Sequence, residues 1–559
     1  MIRTVLNTMR KTAQGVQKKR RYSVTGDGFE GRRIMETSLD RRGFLKTFAI
    51  GSAAAMVAGA GLAGCAPQQK GSASATTVSG AGLPEKWDEE CEVLVIGSGY
   101  AGLAAAYEAS KAGADTMVVE KMPTTGGNSA IADGDLAVCM SSAQKAKGIE
   151  DSVDKYVADM MAAGLGLNDE EKCRVLAEKS NETWEWTQSD LGVEWDTDEE
   201  GNINVIPYGG HNTVRTIHPK IGHGSAMTVP LTEKLNEMGV PMKTGRMVTK
   251  FFRDETGRMV GVQVNEKAKG NDPTTGNPLY IKAKKGVVLA SGGFGKDVTW
   301  RSQHDPRLGE TVDCTNQDGA TAEALAAAMK AGALTVHLDW IQLGPWCSPD
   351  ETGYGKGPSY IDANVAYGMS IDPQTGQRIV SELADRRVYS DAIVANGVPL
   401  IQVVDEQNIP KWNYDANLQP AIDAGITKKF DTIEDVIAAY DLPAEEFMAQ
   451  FNRYNGYVEA RNDEEFGKMI PEDAKPLGEG PYYITRIWPK VHHTMGGVKT
   501  NMDAQVLDAD LNPIPGFYAA GEATGGVHGA CRLGSCATAD CLVNGRLAGQ
   551  MAASNEVTA

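Results

Sequence analysis

Glu92-Val-Leu-Val-Ile-Gly-Ser-Gly-Tyr-Ala-Gly102 leads into the helical pattern Leu103 to Ala112 and then into Asp115-Thr-Met-Val-Val119, which ends in Glu120. A lone G-x-G-x-x-G carries little information, but strand, glycines, helix, strand and acid in that order specify a dinucleotide-binding βαβ unit. Gly97 makes the tight turn, Gly99 admits a pyrophosphate against bare backbone, and Gly102 lets helix and strand pack closely. The helix N-terminus, at Ala101, favours phosphate charge, and Glu120 is placed to accept hydrogen bonds from ribose hydroxyls.

Working outward, Lys121-Met-Pro123 and Gly126-Gly127-Asn128-Ser129 follow the acid at once, an arrangement similar to flavoprotein chains in which this loop wraps the isoalloxazine side. No second glycine motif of the nucleotide type occurs, so the expectation is one FAD, reduced from elsewhere. Gly286-Val-Val-Leu-Ala-Ser-Gly-Gly-Phe294, with Ala290 and Gly292 at its exit, reads as a strand returning to the same cofactor. Gly516-Phe-Tyr-Ala-Ala-Gly-Glu-Ala-Thr-Gly-Gly526 reads the same way, so the cofactor domain is discontinuous. Arg246 to Ile281, broken by turn residues at 254–257 and 271–277, predicts antiparallel strands attached to it.

A length of 559 residues at ~150 per domain allows three to four domains. Glycine is the compositional outlier, 63 of 559 against roughly 7% in ordinary chains, as turns and close ligand approach require. Residues 65–559 carry 43 Lys+Arg against 69 Asp+Glu, and a surface this acidic argues against binding nucleic acid. The basic charge is concentrated in residues 1–64, where Arg41-Arg42-Gly-Phe-Leu-Lys46 reads as a twin-arginine export signal and Leu62-Ala-Gly-Cys65 resembles a lipobox. Cleavage there leaves a chain lipid-anchored at Cys65 on the outer face of the cytoplasmic membrane; cleavage nearby leaves a periplasmic one. The apolar run Thr47 to Gly64 is too short and small-sided for a spanning helix, and residues 65–87 read as a flexible tether.

Over residues 88–552 the chain resembles the soluble fumarate reductase and urocanate reductase flavoproteins, a family that borders on ketosteroid dehydrogenases. The resemblance rests on Gly97 to Gly102 with Glu120, Gly126 to Ser129, Val287 to Phe294, Val491-His492-His493-Thr-Met-Gly-Gly497, and Gly521-Glu522 to Arg532-Leu-Gly534. It implies an α/β fold, a Rossmann-like FAD-binding domain (88–338 and 491–559) with an inserted mobile α+β capping domain (339–490). It also implies FAD contacts from Ala101, Glu120, Lys121, Gly127, Asn128, Ser129, Gly134, Val248, Asp318, His493, Glu522, Arg532, Ala537 and Thr538. Ser129 sits where membrane-bound relatives carry the histidine that bonds covalently to FAD, so the implied cofactor is noncovalent.

The implied reaction is reduction of a C=C bond conjugated to a carbonyl, with hydride from flavin N5 and a proton from an arginine. Arg386, in Gly376-Gln-Arg-Ile-Val-Ser-Glu-Leu-Ala-Asp-Arg386, falls in the acid's place, although the doublet with Arg387 allows a slip of one. Arg532 and His492 are the implied clamp on the carboxylate. Where fumarate reductases place a histidine for the second carboxylate this chain has Gly344, and the matching threonine position is Tyr360. The family's Glu and Arg proton relay has no match between Ser359 and Asn364. Trp340, Trp346, Tyr354 and Tyr360 surround this end, so the expected substrate is not a dicarboxylate but an enoate with a bulky or aromatic tail. A steroid-like enone, reduced or dehydrogenated, is the alternative, and an exported electron carrier without a substrate is a third reading. The nine cysteines include no C-x-x-C, so no metal or haem is expected, and an external donor, a cytochrome or flavin-bearing protein, is implied for anaerobic respiration.

Overall fold

Successive residues of strand β1 (Glu89–Ile96) face opposite sides of a sheet, and both sides are apolar. Val93 and Val95 enter one core with helix α1 (Tyr100–Lys111), while Leu94 and Ile96 enter another with Val287, Leu289 and Phe294. A strand buried on both faces belongs at the centre of a parallel sheet, each such side chain contributing about 1.5–3 kcal/mol by burial. The structure, a computed structural model describing residues 82–198, 200–478 and 480–557, has that sheet. The twin-arginine segment, Cys65 and most of the tether lie outside the described residues.

The sheet has eight strands: β1, β2 (Thr116–Val119), β3 (Met242–Lys243), β4 (Arg246–Arg253), β5 (Met259–Glu266), β6 (Asn277–Leu289), β7 (Gln505–Leu507) and β8 (Pro513–Ala519). Its order is β7-β8-β6-β1-β2-β3, with β8, β6, β1, β2 and β3 joined in parallel. The 13-residue β6 serves two roles. Its first half closes the antiparallel meander β4-β5-β6 that the turn residues predict, and Gly286–Leu289 join β1 and β8.

Two helices complete the nucleotide end. Helix α1 follows β1, and the helix Cys536–Ser554 lies across it. The contact is backbone to backbone: a Cβ on Gly549 would stand 2.1 Å from the Ala105 carbonyl oxygen, and one on Gly545 2.5 Å from that of Ala101. This approach brings Cys541 to the glycine turn, and Ala537 and Thr538 to the cavity beside it, although more than 400 positions separate them from that turn in sequence.

Residues 369–487 form a second, antiparallel sheet, with Met369–Ile371, Leu400–Asp405, Tyr482–Ile487 and Thr427–Phe430 in that order and apolar clusters on both faces. Inside it Arg378 is fully buried between Glu382 (2.7 Å) and Asp463 (2.9 Å). Where the chain leaves for this region and returns, Ile341–Gly344 pairs antiparallel with Lys490–Thr494, setting Gln342 opposite His493. Among the described residues no helix is long and apolar enough to cross a membrane.

Gly102 is the tightest point of the nucleotide unit, since a Cβ there would stand 2.0 Å from the carbonyl oxygen of Gly97. Gly102→Ala is expected to lower stability by about 1–3 kcal/mol through overpacking, read as a fall in thermal midpoint together with weakened FAD retention.

Candidate active site

Gly97 has φ +99°, and a Cβ on it would lie 2.3 Å from the Ala290 oxygen, so β1 can turn into α1 there only with glycine. The turn opens a cavity of about 90 Å³ bordered by Gly97, Gly99, Ala101, Glu120, Gly127, Asn128, Ser129, Ala290, Gly292 and Glu522. Glu120 is held in place by Ser98, whose backbone N (3.0 Å) and hydroxyl (2.6 Å) donate to Oε2, and by Met122 N, which donates to Oε1 (2.8 Å). Gln317 N donates to Asn128 Oδ1 (2.8 Å), and Tyr100 N donates to Ser129 Oγ (3.0 Å), tying the 126–131 loop over the helix N-terminus.

A larger cavity, about 140 Å³, shares Tyr100, Asn128, Ser129, Glu522 and Cys541 with the first, so the two run end to end. Gly134, Ala537, Thr538 and His493 line it, together with Arg386, His492 and Arg532. The donor set fits FAD along this trough: bare glycine backbone and an open helix N-terminus at one end, and at the other a buried His493 Nε2 that no protein atom satisfies. His493 Nδ1 lies 3.5 Å from Glu522 Oε1, which also accepts from Thr494 N (2.9 Å).

Positive charge is concentrated in the larger cavity. Arg386 opens the helix α2 (Arg386–Asn396), which Asp385 caps by accepting from Arg387 N and Val388 N, both at 3.0 Å. Its guanidinium lies over the Trp346 ring, 4.6 Å from the centroid, with Nε buried and unpaired. Burial and the charge of Arg386 push Arg532 down to about 10, and its Nε is likewise buried and unpaired. His492, anchored by Thr315 Oγ1 at 2.8 Å from Nδ1, is held well below the usual histidine range by burial and then by the two arginines, so the ring is neutral. Two cations and a neutral donor thus line one cavity, an arrangement that an anion completes.

Several expected contacts lie elsewhere. Lys121 pairs with Glu323 at 3.0 Å, and Asp318 turns to solvent beside Lys296 while its neighbours Gln317 and Gly319 border the cofactor cavity. The Val248 side chain sits in the apolar core under the sheet. Tyr360 is corrected outright: on the helix Gly357–Asn364 it is fully buried among Ile361, Tyr389 and Leu400, because its helical phase turns it into the insertion's core. Gly344 acts indirectly, since a Cβ there would stand 3.2 Å from the His492 side chain and crowd the ring. Trp340 borders a different cavity, with His304 and Trp488, which also takes Arg387.

The larger cavity also holds residues for which the sequence offers no motif. Asp133 and Asp135 flank Gly134, and Tyr208 and Tyr354 stand beside them. Tyr354 is where the sequence led us to expect it, whereas only the Asp-Gly-Asp spacing around a predicted cofactor glycine hints at the two acids and nothing hints at Tyr208. Among the described residues the eight cysteines are free thiols and no group of three His, Cys, Asp or Glu could hold a metal ion.

Residues 92–538 match the family model described as FAD binding domain. The chain is 38% identical to the acrylate reductase flavoprotein subunit of Shewanella woodyi over 92% of this chain and 98% of that protein. It is 33% identical to the urocanate reductase of Eggerthella lenta, covering 84% and 76%. Among solved structures it is similar to the open conformation of a flavocytochrome c3 fumarate reductase, at TM-score 0.64 and 29% identity over 95% of this chain and 84% of that one. It is also similar to a 3-ketosteroid-Δ4-(5α)-dehydrogenase of Rhodococcus jostii, at TM-score 0.65 and 26% identity over 86% and 99%.

The loop carrying Arg532 is gripped from below. Arg215, paired with Asp151 (3.0 Å) and Asp159 (2.6 Å), donates to His211 Nδ1 (2.8 Å), so His211 Nε2–H donates to the Gly534 carbonyl (3.0 Å). Burial and the charge of Arg215 lower the His211 pKa to about 4. A histidine kept neutral in the fold stabilises it fully above its ordinary value near 6.5 and loses that contribution as pH falls through 4. Thermal midpoints should therefore decline between those limits, and His211→Gln should show a smaller acid-side decline.

Proposed function

The chain belongs to the FAD binding domain family, and we propose that, as an FAD-dependent oxidoreductase acting on carbon–carbon double bonds, it reduces an α,β-unsaturated monocarboxylate. The observation that carries this reading is the convergence of Arg386, Arg532 and His492 on one cavity continuous with the cofactor cradle. Bound FAD, once reduced, supplies the hydride. Arg532 grips the carboxylate and His492 adds a neutral donor, so charge that builds on the carbonyl oxygens meets fixed donors that need no rearrangement. Arg386, its plane set by Trp346, gives the proton to the other alkene carbon.

Fumarate fits this site badly. Its second carboxylate would meet Asp133 and Asp135 in the cavity, and Gly344, having no side chain, provides no cation there. Tyr208 and Tyr354 leave room for an uncharged or donor-bearing tail. The reverse reaction on a steroid-like ketone would need a tyrosinate base, and burial holds both of these phenols well above the usual tyrosine range. The same reading has FAD bound noncovalently beside Ser129 and a capping domain of residues 339–490 that closes over it. The enzyme is exported by the Arg41-Arg42 signal, anchored at Cys65 and supplied with electrons by an external cytochrome or flavin-bearing protein.

The test uses the purified holoenzyme, chemically reduced without oxygen and offered a panel of acrylates, fumarate and enones. Monocarboxylic enoates should reoxidise it fastest and fumarate should be among the poorest. Arg386→Ala should cost about 10²–10⁴-fold in turnover while the FAD spectrum persists, and Arg387→Ala should retain activity. Normal turnover by Arg386→Ala would remove the acid assignment.

A further inference from the structure

A neutral imidazole can offer a ligand either an N–H or a bare lone pair, and the hydrogen bond made by its other nitrogen decides which. For His492 that other bond is to Thr315, whose Oγ1 lies 2.8 Å from Nδ1. Among the described residues no protein atom pairs with His492 Nε2, and the ring borders the cavity that also holds Arg386 and Arg532.

Thr315 is held firmly against the strand that carries the histidine. Val491 N donates to the Asp313 carbonyl and Thr315 N to the Val491 carbonyl, both at 2.9 Å. Asn316 Nδ2 donates to the His492 carbonyl at 2.9 Å, so residues 315 and 316 grip the histidine by its ring and by its backbone. The loop leading into them is fixed by the buried Arg301, which donates to the carbonyls of Gly295 (2.7 Å), Leu308 (2.8 Å), Gly309 (3.0 Å) and Val312. Thr315 itself is 2% exposed, which leaves water little access to its hydroxyl.

That hydroxyl has one hydrogen and two acceptors in reach, His492 Nδ1 at 2.8 Å and the Val491 carbonyl at 3.3 Å. Burial, and then Arg386 and Arg532, keep the ring neutral, so only one of its nitrogens carries a proton. With the proton on Nδ1, the ring donates to Oγ1, the hydroxyl turns to Val491 and Nε2 shows the cavity a lone pair that repels a carboxylate. With the hydroxyl donating to Nδ1, Nε2 carries the N–H that a carboxylate accepts. The second arrangement gives up little, because 3.3 Å is a long contact and the Val491 carbonyl already accepts from Thr315 N.

We propose that Thr315 is a positioning residue that sets the tautomer of His492, its hydroxyl donating to Nδ1 so that Nε2–H faces the substrate carboxylate. This rests on the reading of His492 as a carboxylate donor. Valine has nearly the shape of threonine but leaves Nδ1 buried without a partner as long as the ring keeps its orientation. In the empty site of such a variant the ring turns away, and the carboxylate has to draw it back. Serine keeps the hydroxyl and therefore the anchor.

The experiment uses the oxidised holoenzyme with its histidines labelled with nitrogen-15, alone and with the saturated monocarboxylate 3-phenylpropionate; His492→Phe identifies the His492 signals by their loss. In the wild-type complex Nε2 should be the protonated nitrogen and Nδ1 a hydrogen-bonded acceptor. Thr315→Val should move the Nδ1 signal towards that of an unpaired nitrogen while the FAD spectrum of the unliganded enzyme persists. It should also weaken 3-phenylpropionate binding, read from the change in FAD absorbance, by about tenfold, and lower kcat/KM for the fastest enoate by a similar factor. Thr315→Ser should restore most of both. A protonated Nδ1 in the wild-type complex would overturn the proposal, and that measurement stands even if Thr315→Val fails to fold. Wild-type binding by Thr315→Val beside weakened binding by His492→Phe would overturn the role of Thr315 and leave His492 as the donor. Wild-type binding by His492→Phe would overturn the donor reading itself. Serine behaving as valine does would assign Thr315 to packing through its methyl group and also overturn the proposal.

Discussion

Two buried guanidinium groups line one cavity, and the rest of the site follows from their burial and their repulsion. Burial, and then the charge of Arg386, lowers Arg532 to about 10, and burial with both guanidinium charges keeps His492 neutral. Neither Nε has a partner, so both guanidinium groups keep a buried donor free for an anion. Such a cavity is costly without substrate, and its architecture is devoted to keeping the two groups where they are. Trp346 supports one guanidinium, and the Asp151–Arg215–His211 chain supports the loop that carries the other.

The cofactor end works by the opposite means, removing side chains instead of adding charge. Gly97, Gly99 and Gly102 clear a path for phosphates beside a helix N-terminus, and Gly545 and Gly549 let the C-terminal helix press on that helix. This packing makes the trough continuous, because Thr538 and Cys541 reach it only if the helix Cys536–Ser554 lies directly on α1. The strand pair Ile341–Gly344 with Lys490–Thr494 then carries His492 and His493 from the cofactor to the substrate end.

Under the proposed reading, charge also explains substrate selection: Arg532 and His492 would favour a carboxylate, while Asp133 and Asp135 in the same cavity would oppose a second one. An aromatic pocket, as the tryptophans and tyrosines between 340 and 360 implied, is only half the description. Trp346 serves Arg386, Trp340 faces another cavity and Tyr360 is core, leaving Tyr354 with Tyr208 to line the tail.

The amino-acid sequence determined the nucleotide unit, the return strands and the singling out of Arg386, His492 and Arg532, which the fold gathers in one cavity. These rest on short-range necessities: a turn that only glycine can make, a strand apolar on both faces, a motif of fixed spacing. Helical phase within the insertion was not legible, which is why Tyr360 looked like a pocket residue and Asp362 passed unremarked two positions away. The acidic cluster was also invisible. Asp135, Tyr208, His218 and Asp362 are strung across more than 200 positions of chain with no pattern between them. Only packing the insertion against the loops of the cofactor domain brings these side chains together around one cavity.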